Sequence, residues 1–251
     1  MTGERRIRGA GTAETDWQSW PGLQAIPLVE AGQLLPAGSR AFVLAPHPDD
    51  ELLGCGGLVR LLAGMGRDVQ VLAVTDGGAS HPGSSRWPAE LLRRERARES
   101  ADALRRLGVP DVPLLRLGLD DGQVAAQARR LQSALDLLLR PGDVLIATCR
   151  FDGHPDHEAV GEVAAQAASR HRASLVEMPV WMWHWAAPGD ARVPWHRACR
   201  LRLDQATQQA KADAAQAFRS QLEPDPSTGR DAIVPPTALA RVLRDEEIYF
   251  R

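Results

Sequence analysis

The sequence predicts an α/β fold: a Rossmann-like three-layer sandwich with a mostly parallel sheet and helices on both faces. Two observations favour this class. Apolar runs of strand length alternate with amphipathic helical segments from about residue 40 to residue 180, as in consecutive βαβ units. The 251 residues are also enough to bury the core of one large α/β domain.

The strands are predicted from short apolar runs that end in turn residues. The run 41–45 ends at Pro46, and the run 68–75 is followed by Asp-Gly-Gly. Later runs have the same character. The predicted strands are residues 41–45, 68–75, 112–117, 143–148 and 173–180.

The helices are predicted from apolar residues at helical spacing between these strands. The strongest pattern is 87–107, where Ala97, Ala101 and Leu104 share one face and Gly108 can end the helix. The predicted helices are residues 52–65, 87–107, 123–139, 157–170 and 205–222.

The two ends of the chain and one aromatic segment are less regular. Residues 1–38 have no strong periodicity and are predicted to form an N-terminal arm packed on a single domain of residues 39–251. Residues 223–236 are predicted to be a loop. The segment 181–185 reads WMWHW and alternates as a strand does, so His184 either reaches the site or is a buried histidine of a strand end.

Composition excludes several classes of partner. Thirty basic residues face thirty-two acidic ones, and the net charge of −2 provides no basic footprint for nucleic acid. No apolar run approaches the ~20 residues of a membrane span, and the start lacks the apolar core of a signal peptide. Three cysteines without a CxxC pair argue against a disulfide framework, so the expected compartment is the cytoplasm. The sequence predicts no oligomeric state.

Two polar clusters carry the chemistry. His-Pro-Asp-Asp-Glu at 47–51 follows the first predicted strand, and His-Pro-Asp-His at 154–157 follows the fourth. Because the carboxyl ends of parallel strands meet at one sheet edge, the two clusters can converge although ~100 residues separate them. Two histidines and a carboxylate, with water in the open fourth position, form a hydrolytic zinc set, and they also suit ferrous iron.

Each cluster contains a pair of groups for two roles. Asp49 and Asp50 provide one carboxylate for the metal and one base for a water whose pKa zinc lowers to about 7. His154 and His157 provide a metal ligand and a group that donates a proton or stabilises an oxyanion. Either cluster alone also fits a turn or a helix cap. The two together, each between a strand and a helix, favour the metal site.

These motifs resemble those of the LmbE/PIG-L family of zinc-dependent deacetylases. The family's first motif reads A-H-P-D-D-E or P-H-P-D-D-E, as at 46–51, and its second reads H-P-D-H, as at 154–157. Its members remove the acetyl group from N-acetylglucosamine units in thiol cofactors, antibiotics and lipid-linked sugars. The resemblance extends from about residue 40 to 180. It implies a Zn²⁺-dependent N-deacetylase that acts on a small acetamido-sugar conjugate.

The resemblance also implies roles for the motif residues. It implies that Asp49 is the general base that activates the water. It implies that His154 stabilises the tetrahedral oxyanion and protonates the leaving amine, with Asp156 as its orienting partner. The three implied metal ligands are His47, Asp50 and His157.

Further residues are candidates for substrate contact. Arg96, with Glu99, resembles an Arg-x-x-Glu pair that reaches the substrate, or the two form a surface i,i+3 pair. Asp121 either contacts the sugar or belongs to a simple turn. Asp152 stands near the position where some family members have a tyrosine, and it either faces the pocket or only turns the loop. The loop 77–86 is either a lid or an irregular connection.

Three hypotheses for function follow. The leading one is a metal-dependent hydrolase that removes the N-acetyl group of an N-acetylglucosamine-type conjugate by attack of a zinc-bound water. An alternative is an amidase that acts on another N-acyl or thiol conjugate with the same site. A third is a non-catalytic module that binds a sugar or a nucleotide. Asp49 and His154 favour an enzyme, because binding alone needs neither a spare base nor a proton donor.

Overall fold

A computed structural model describes residues 5–251 of the chain. Its sheet has the order β3-β2-β1-β4-β5-β7-β6. Strands β1 to β5 are parallel, while β7 pairs antiparallel with both β5 and β6. The predicted mostly parallel α/β class is therefore confirmed. The strands are β1 (Arg40–Ala45), β2 (Asp68–Thr75), β3 (Leu114–Leu119), β4 (Val144–Thr148), β5 (Ser174–Met178), β6 (Ala198–Arg202) and β7 (Glu246–Phe250).

Helices cover both faces of this sheet because its strands alternate their apolar side chains. In β1, Ala41 and Val43 face one helical layer, whereas Phe42 and Leu44 face the other. Helices α4, α5 and α9 form the first layer, and α6 and α7 form the second. The helices are α1 (Glu14–Ser19), α2 (Pro21–Ala25), α3 (Ala31–Leu34), α4 (Asp50–Gly64), α5 (Ala89–Arg106), α6 (Ala128–Leu138), α7 (Pro155–His171), α8 (Met182–Trp185), α9 (Gln205–Ala215), α10 (Arg219–Leu222) and α11 (Pro236–Val242), with a 3₁₀ turn at Trp195–Arg197.

The direction of the chain across the sheet reverses between β1 and β4. From β1 the chain moves outward through β2 to β3, then returns to place β4 on the other side of β1. In open α/β sheets this switch point leaves a crevice outside the carboxyl ends of the strands, where ligands bind. Both predicted polar clusters follow these two strands, so the topology places them on either side of the crevice.

Two parts of the second half differ from the expectation. The segment 181–185 is not a strand end, because the chain leaves the sheet at Met178 and forms α8. The carboxylate of Asp152 accepts the backbone N–H groups of residues 180, 181 and 182, each at 2.9 Å, and turns the chain away. The predicted helix 205–222 is two helices, α9 and α10, and strands β6 and β7 were not predicted.

Helix α4 contains a kink that an ion pair supports. Cys55 has non-helical angles (φ −150°, ψ 22°). In a regular helix the Gly57 N–H would bond to the Leu53 carbonyl. Here that N–H donates to Glu247 Oε1 at 2.8 Å, and Lys211 Nζ donates to the Leu53 carbonyl at 3.0 Å. Lys211, the only lysine of the chain, is 1% exposed and lies 2.7 Å from Glu247 Oε1.

The described residues of the N-terminal segment pack on the last two strands. Trp17 is fully buried, and its indole N–H donates to the Trp183 carbonyl at 3.0 Å. Arg200 of β6 exchanges backbone hydrogen bonds with Pro27 and Val29, so this segment covers the outer edge of the sheet. The first four residues of the predicted 1–38 arm lie outside the described residues.

Two further expectations concern the whole chain. Cys55, Cys149 and Cys199 are all buried and unpaired. Across residues 5–251, no helix combines the length and apolar character needed to cross a membrane.

Candidate active site

Three ligand atoms from the two polar clusters form a nearly equilateral triangle. His47 Nδ1 lies 3.2 Å from His157 Nε2, and Asp50 Oδ2 lies 3.3 Å from the first and 3.2 Å from the second. All three side chains are buried. A tetrahedral zinc ion with bonds of 2.0–2.1 Å separates its ligand atoms by about 3.3 Å. The triangle therefore fits three corners of such a site.

The fold brings these atoms together from two strand ends. His47 follows β1, and its backbone N–H donates to Asp50 Oδ2 at 2.9 Å, which fixes the first turn of α4. His157 lies in the first turn of α7, which begins at Pro155, a residue suited to that position. Thr148, at the end of β4, donates to the His157 carbonyl at 3.0 Å and ties this turn to the strand.

The second ring nitrogen of each histidine faces a carboxylate. His47 Nε2 lies 3.2 Å from Asp121 Oδ1 and 3.3 Å from Asp156 Oδ2, and His157 Nδ1 lies 2.7 Å from Asp152 Oδ2. Histidines that bind metals commonly donate their other N–H to a carboxylate, which fixes the tautomer. We therefore assign the N–H to Nε2 of His47 and to Nδ1 of His157, so that the free lone pairs point into the triangle.

Asp152 orients a histidine and does not face the pocket. It is fully buried, and its oxygens accept from His157 and from three backbone N–H groups. Both predicted alternatives, substrate contact and a simple turn, are therefore corrected. The sequence contains no local signal for this role, because the groups that meet Asp152 come from elements on either side of it.

Asp49 lies beside the triangle in a strained conformation. It precedes α4 with φ 148°, a value that disfavours residues with a side chain. Burial raises the pKa of the Asp49 carboxyl to about 7, although the Arg96 guanidinium, 3.1 Å from Oδ1, opposes this shift. A bound cation would lower the pKa again. The Asp49 carboxylate therefore lies where it can accept a proton from a water bound at the triangle.

Arg96 lines the same pocket but is held by protein groups. It is 2% exposed and donates to the Gly77 carbonyl at 3.2 Å besides pairing with Asp49. Gly77 has φ +63°, and a Cβ there would lie 2.2 Å from Arg96 Nη1, so this position requires glycine. The alternative of a surface pair with Glu99 is wrong, because Glu99 is buried and accepts from the Ser220 backbone and hydroxyl at 2.7 and 2.6 Å.

His154 stands next to the triangle as the N-cap of α7. Its ring centroid lies 4.9 Å from those of both His47 and His157. Its Nδ1 accepts the Asp156 backbone N–H at 3.2 Å, so Nε2 carries the proton. Burial is the main cause that lowers the pKa of His154, to about 4. The ring is therefore a neutral N–H donor at pH 7.

Asp156 contacts His154 through its backbone N–H, whereas its carboxylate has other partners. It accepts the backbone N–H groups of Gly122 and Val124 at 2.7 and 3.1 Å and lies beside His47 Nε2. His47, Asp121 and Asp156 hold ligand atoms within 4.8 Å of one another. We interpret this group as carboxylates that accept the His47 N–H, since the ring's other nitrogen belongs to the triangle.

Of the remaining predicted substrate contacts, Asp121 lines the pocket and His184 does not. Burial alone would raise the pKa of Asp121, but the hydrogen bond with His47 lowers it to about 2. His184 Nδ1 lies 3.0 Å from Arg241, on the side of α8 that faces the N-terminal segment. The predicted reach of His184 to the site is therefore corrected. Its neighbour Trp181 lines the pocket instead.

The pocket is a cavity of about 320 Å³ at the carboxyl edge of β1 and β4. The catalytic candidates His47, Asp49, Asp50 and His154 line it. The C-terminal segment that contains Ile233, Val234, Ala238 and Val242 forms much of the rest, and sequence analysis did not predict this contribution. These residues are apolar and lie in a loop and a short helix, so nothing in their pattern distinguishes a pocket wall from a core. Ala79 and Ser80 of the 77–86 loop also reach the pocket.

Comparison with known proteins agrees with this site. The family model PIG-L, described as GlcNAc-PI de-N-acetylase, matches residues 42–168, which is half of the chain and includes both motifs. Diacetylchitobiose deacetylase of Thermococcus kodakarensis is 31% identical over 134 residues, 52% of this chain and 49% of that protein. A 1D-myo-inositol 2-acetamido-2-deoxy-alpha-D-glucopyranoside deacetylase of Corynebacterium glutamicum is 30% identical over 159 residues, 54% of this chain and 55% of that protein.

The chain thus spans about half the length of these curated relatives. Among solved structures, the N,N'-diacetylchitobiose deacetylase from Pyrococcus horikoshii has the same fold, with a TM-score of 0.57 at 20% identity over 73% of this chain and 71% of that one. The resemblance inferred from the two motifs is confirmed. With the family model matching both motifs and half of its length, the chain belongs to the PIG-L family.

Proposed function

We propose that the chain is a metal-dependent N-deacetylase that hydrolyses the acetamido group of an N-acetylglucosamine-type conjugate, releasing acetate and a free amine. The observation that carries this proposal is the triangle of His47 Nδ1, Asp50 Oδ2 and His157 Nε2, with Asp49 and His154 beside it. The names of the relatives in Thermococcus and Corynebacterium support the same amide chemistry.

We propose Zn²⁺ as the metal, held by His47, Asp50 and His157. Two neutral imidazoles and one carboxylate suit a tetrahedral zinc site, and Fe²⁺ is the other cation that this ligand set accommodates. When bound, the cation polarises the amide carbonyl and makes a nearby water more acidic. The remaining chemistry belongs to side chains of the protein.

In this proposal Asp49 takes the proton of the attacking water. Arg96 holds the Asp49 carboxylate in place. His154 donates its Nε2–H to the oxyanion that forms as the carbonyl becomes tetrahedral. The amine receives its proton from Asp49, which has taken one from the water, when the C–N bond breaks. This assigns the proton transfer to Asp49, whereas the family resemblance implied His154.

The substitution Asp49→Asn tests the proposal. It keeps the shape of the side chain but removes the base, so we expect acetate release to fall by about 10²-fold or more. Zinc content, measured on the same sample, should not change. Asp68→Asn, an exposed position outside the pocket, is the matched control and should retain full activity. Zinc-loaded wild type that is inactive on a panel of N-acyl amino sugars would contradict the proposed function.

We also propose that the chain acts in the cytoplasm on a small-molecule conjugate. The support is its three buried, unpaired cysteines, since disulfides are the usual state of cysteine pairs in oxidising compartments. Recovery of the native protein mainly outside the cells, after fractionation and immunodetection, would contradict this location.

A further inference from the structure

Apolar side chains line part of the pocket that holds the catalytic candidates and form an apolar wall there. Val180, Val234 and Val242 are buried members of a hydrophobic cluster, and the other members of the wall pack on that cluster while lining the cavity. We define the apolar wall as Val180, Trp181, Ile233, Val234, Ala238 and Val242.

Backbone contacts fix this wall relative to the catalytic residues. The Val234 N–H donates to the Gln221 carbonyl at 2.9 Å, which anchors the segment before α11. The Trp181 N–H donates to Asp152 at 2.9 Å, and the same carboxylate holds His157. Helix α11 also packs against α4 and α8. The wall is therefore part of the folded site.

The chemistry of the wall selects against a polar group. Among its side chains, only the indole N–H of Trp181 can form a hydrogen bond. A second sugar placed there would lose hydrogen bonds to water that these side chains cannot replace. An apolar group would instead remove both its own surface and that of the wall from water, which is favourable.

We propose that the substrate carries, next to its acetamido sugar, an apolar group that lies against the apolar wall. The inference rests on the proposed function and narrows its substrate class. The apolar group is an aromatic or alkyl aglycone. An N-acyl chain longer than acetyl has the same apolar chemistry, and the experiment separates it from the aglycone.

The test compares four substrates with the zinc-loaded chain, measuring the free amine released. They are the methyl and phenyl glycosides of N-acetylglucosamine, the methyl glycoside of N-hexanoylglucosamine, and N,N'-diacetylchitobiose. We expect kcat/KM for the phenyl glycoside to exceed that of the methyl glycoside by about tenfold or more. A preference for the hexanoyl compound instead would place the acyl chain against the wall and overturn the inference. Equal values across the panel, or a preference for the disaccharide, would overturn the inference.

A wall variant supplies the matched comparison. Ile233→Ser should bring the ratio of apolar to methyl substrate towards one. Leu137→Ser, the same kind of exchange at a residue that is 88% exposed on α6, should leave the ratio as in the wild type. If Ile233→Ser does not fold, the wild-type ratio still decides.

A binding measurement tests this inference separately from the proposed function. Calorimetry with the amines phenyl glucosaminide and methyl glucosaminide needs no turnover, and we expect the phenyl compound to bind about tenfold more tightly. Absence of amine release from every substrate would contradict the proposed function. Equal affinity for the two amines would overturn the inference, whatever the activity.

Discussion

At the scale of single residues, each of the two histidines of the triangle has a carboxylate beside its other ring nitrogen. The His157 ring lies between the triangle and Asp152, with 2.7 Å between Nδ1 and Oδ2. Asp152 also accepts three backbone N–H groups, so its position is fixed by β5 and α8 rather than by the histidine. The folded chain therefore fixes the orientation of the His157 ring through Asp152.

Asp152→Asn should therefore weaken zinc binding without abolishing it. The amide can still accept backbone hydrogen bonds through its oxygen, but it no longer stabilises the tautomer of His157 that binds metal. We expect zinc affinity to fall by about 10- to 100-fold, measured by competition with a chromophoric chelator. Asp68→Asn is again the control. Unchanged affinity in Asp152→Asn would show that His157 does not need this partner.

The sequence predicted the residues that stand together in a short motif. It did not predict the roles of residues that depend on contacts made only in the folded chain. His47, Asp50 and His157 stand in two short motifs, each between a strand and a helix, and the structure brings them together as expected. Asp152 is held by backbone N–H groups about thirty residues away, and Trp181 reaches the pocket from the segment after β5. No short pattern encodes that arrangement, because it depends on how the chain leaves β5.

At the scale of elements, the kink in α4 replaces one backbone hydrogen bond by a buried ion pair. Lys211 of α9 and Glu247 of β7 satisfy the carbonyl and the N–H that the kink separates. Glu247 also accepts from the Tyr249 hydroxyl at 2.6 Å. Three elements are thus joined at the helix that begins with Asp50, a proposed metal ligand.

Lys211→Met should be strongly destabilising. It leaves the Glu247 charge buried without its partner, and we expect the free energy of unfolding in urea to fall by about 3–5 kcal/mol. Adding Glu247→Gln should restore part of the loss, because no unpaired charge then remains. Arg202→Met, at an exposed position of β6, is the control with little expected effect. A loss below 1 kcal/mol in Lys211→Met would contradict this interpretation.

Glu177, in β5, links the loop after β4 to β6 and gives stability a dependence on pH. Burial alone would raise its pKa, but Arg150 and Arg197, 2.9 and 2.7 Å away, hold the pKa below its usual 4.5. Because the folded-state pKa is depressed, its contribution is complete above about pH 4.5. The contribution is lost as the pH falls through the folded-state value.

Glu177→Gln should lower the free energy of unfolding by about 1–2 kcal/mol at pH 7. Urea unfolding at pH 7 and in steps below pH 4.5 should show the difference from wild type shrinking on acidification. Glu162→Gln, an exposed exchange of the same kind on α7, should have the free energy of unfolding of the wild type at each pH. A difference that stays constant over this range would contradict the sign of the pKa shift.

Most helices and strands up to β5 were predictable because their apolar periodicity is strong. The predicted strand 68–75 agrees with β2 at both ends, and the predicted strand 143–148 agrees with β4 to within one residue. Beyond β5 the pattern is weak, because β6 and β7 carry buried polar residues such as Arg200 and Glu247. These two strands form because they pair with segments that are distant along the chain, and local periodicity does not reveal such pairing.

At the scale of the whole molecule, the N-terminal segment completes the fold around the last strands. We propose that residues 1–38 act as an arm on a single domain of residues 39–251. A chain that begins at residue 39 would expose the outer edge of β6 and the surface that Trp17 covers. We expect it to melt at a lower temperature and to aggregate in size-exclusion chromatography. Behaviour identical to that of the full chain would contradict the proposed arm.

Zinc titration of the metal-free chain tests the central claim most directly. Calorimetry should show one equivalent bound per chain, and His157→Ala should bind zinc at least about 100-fold more weakly, because one corner of the triangle is lost. His171→Ala, which removes a histidine bonded to Asp136 at the far end of α7, should bind as the wild type does. Stoichiometric zinc binding of unchanged affinity in His157→Ala would contradict the account, because the ion would then be held elsewhere.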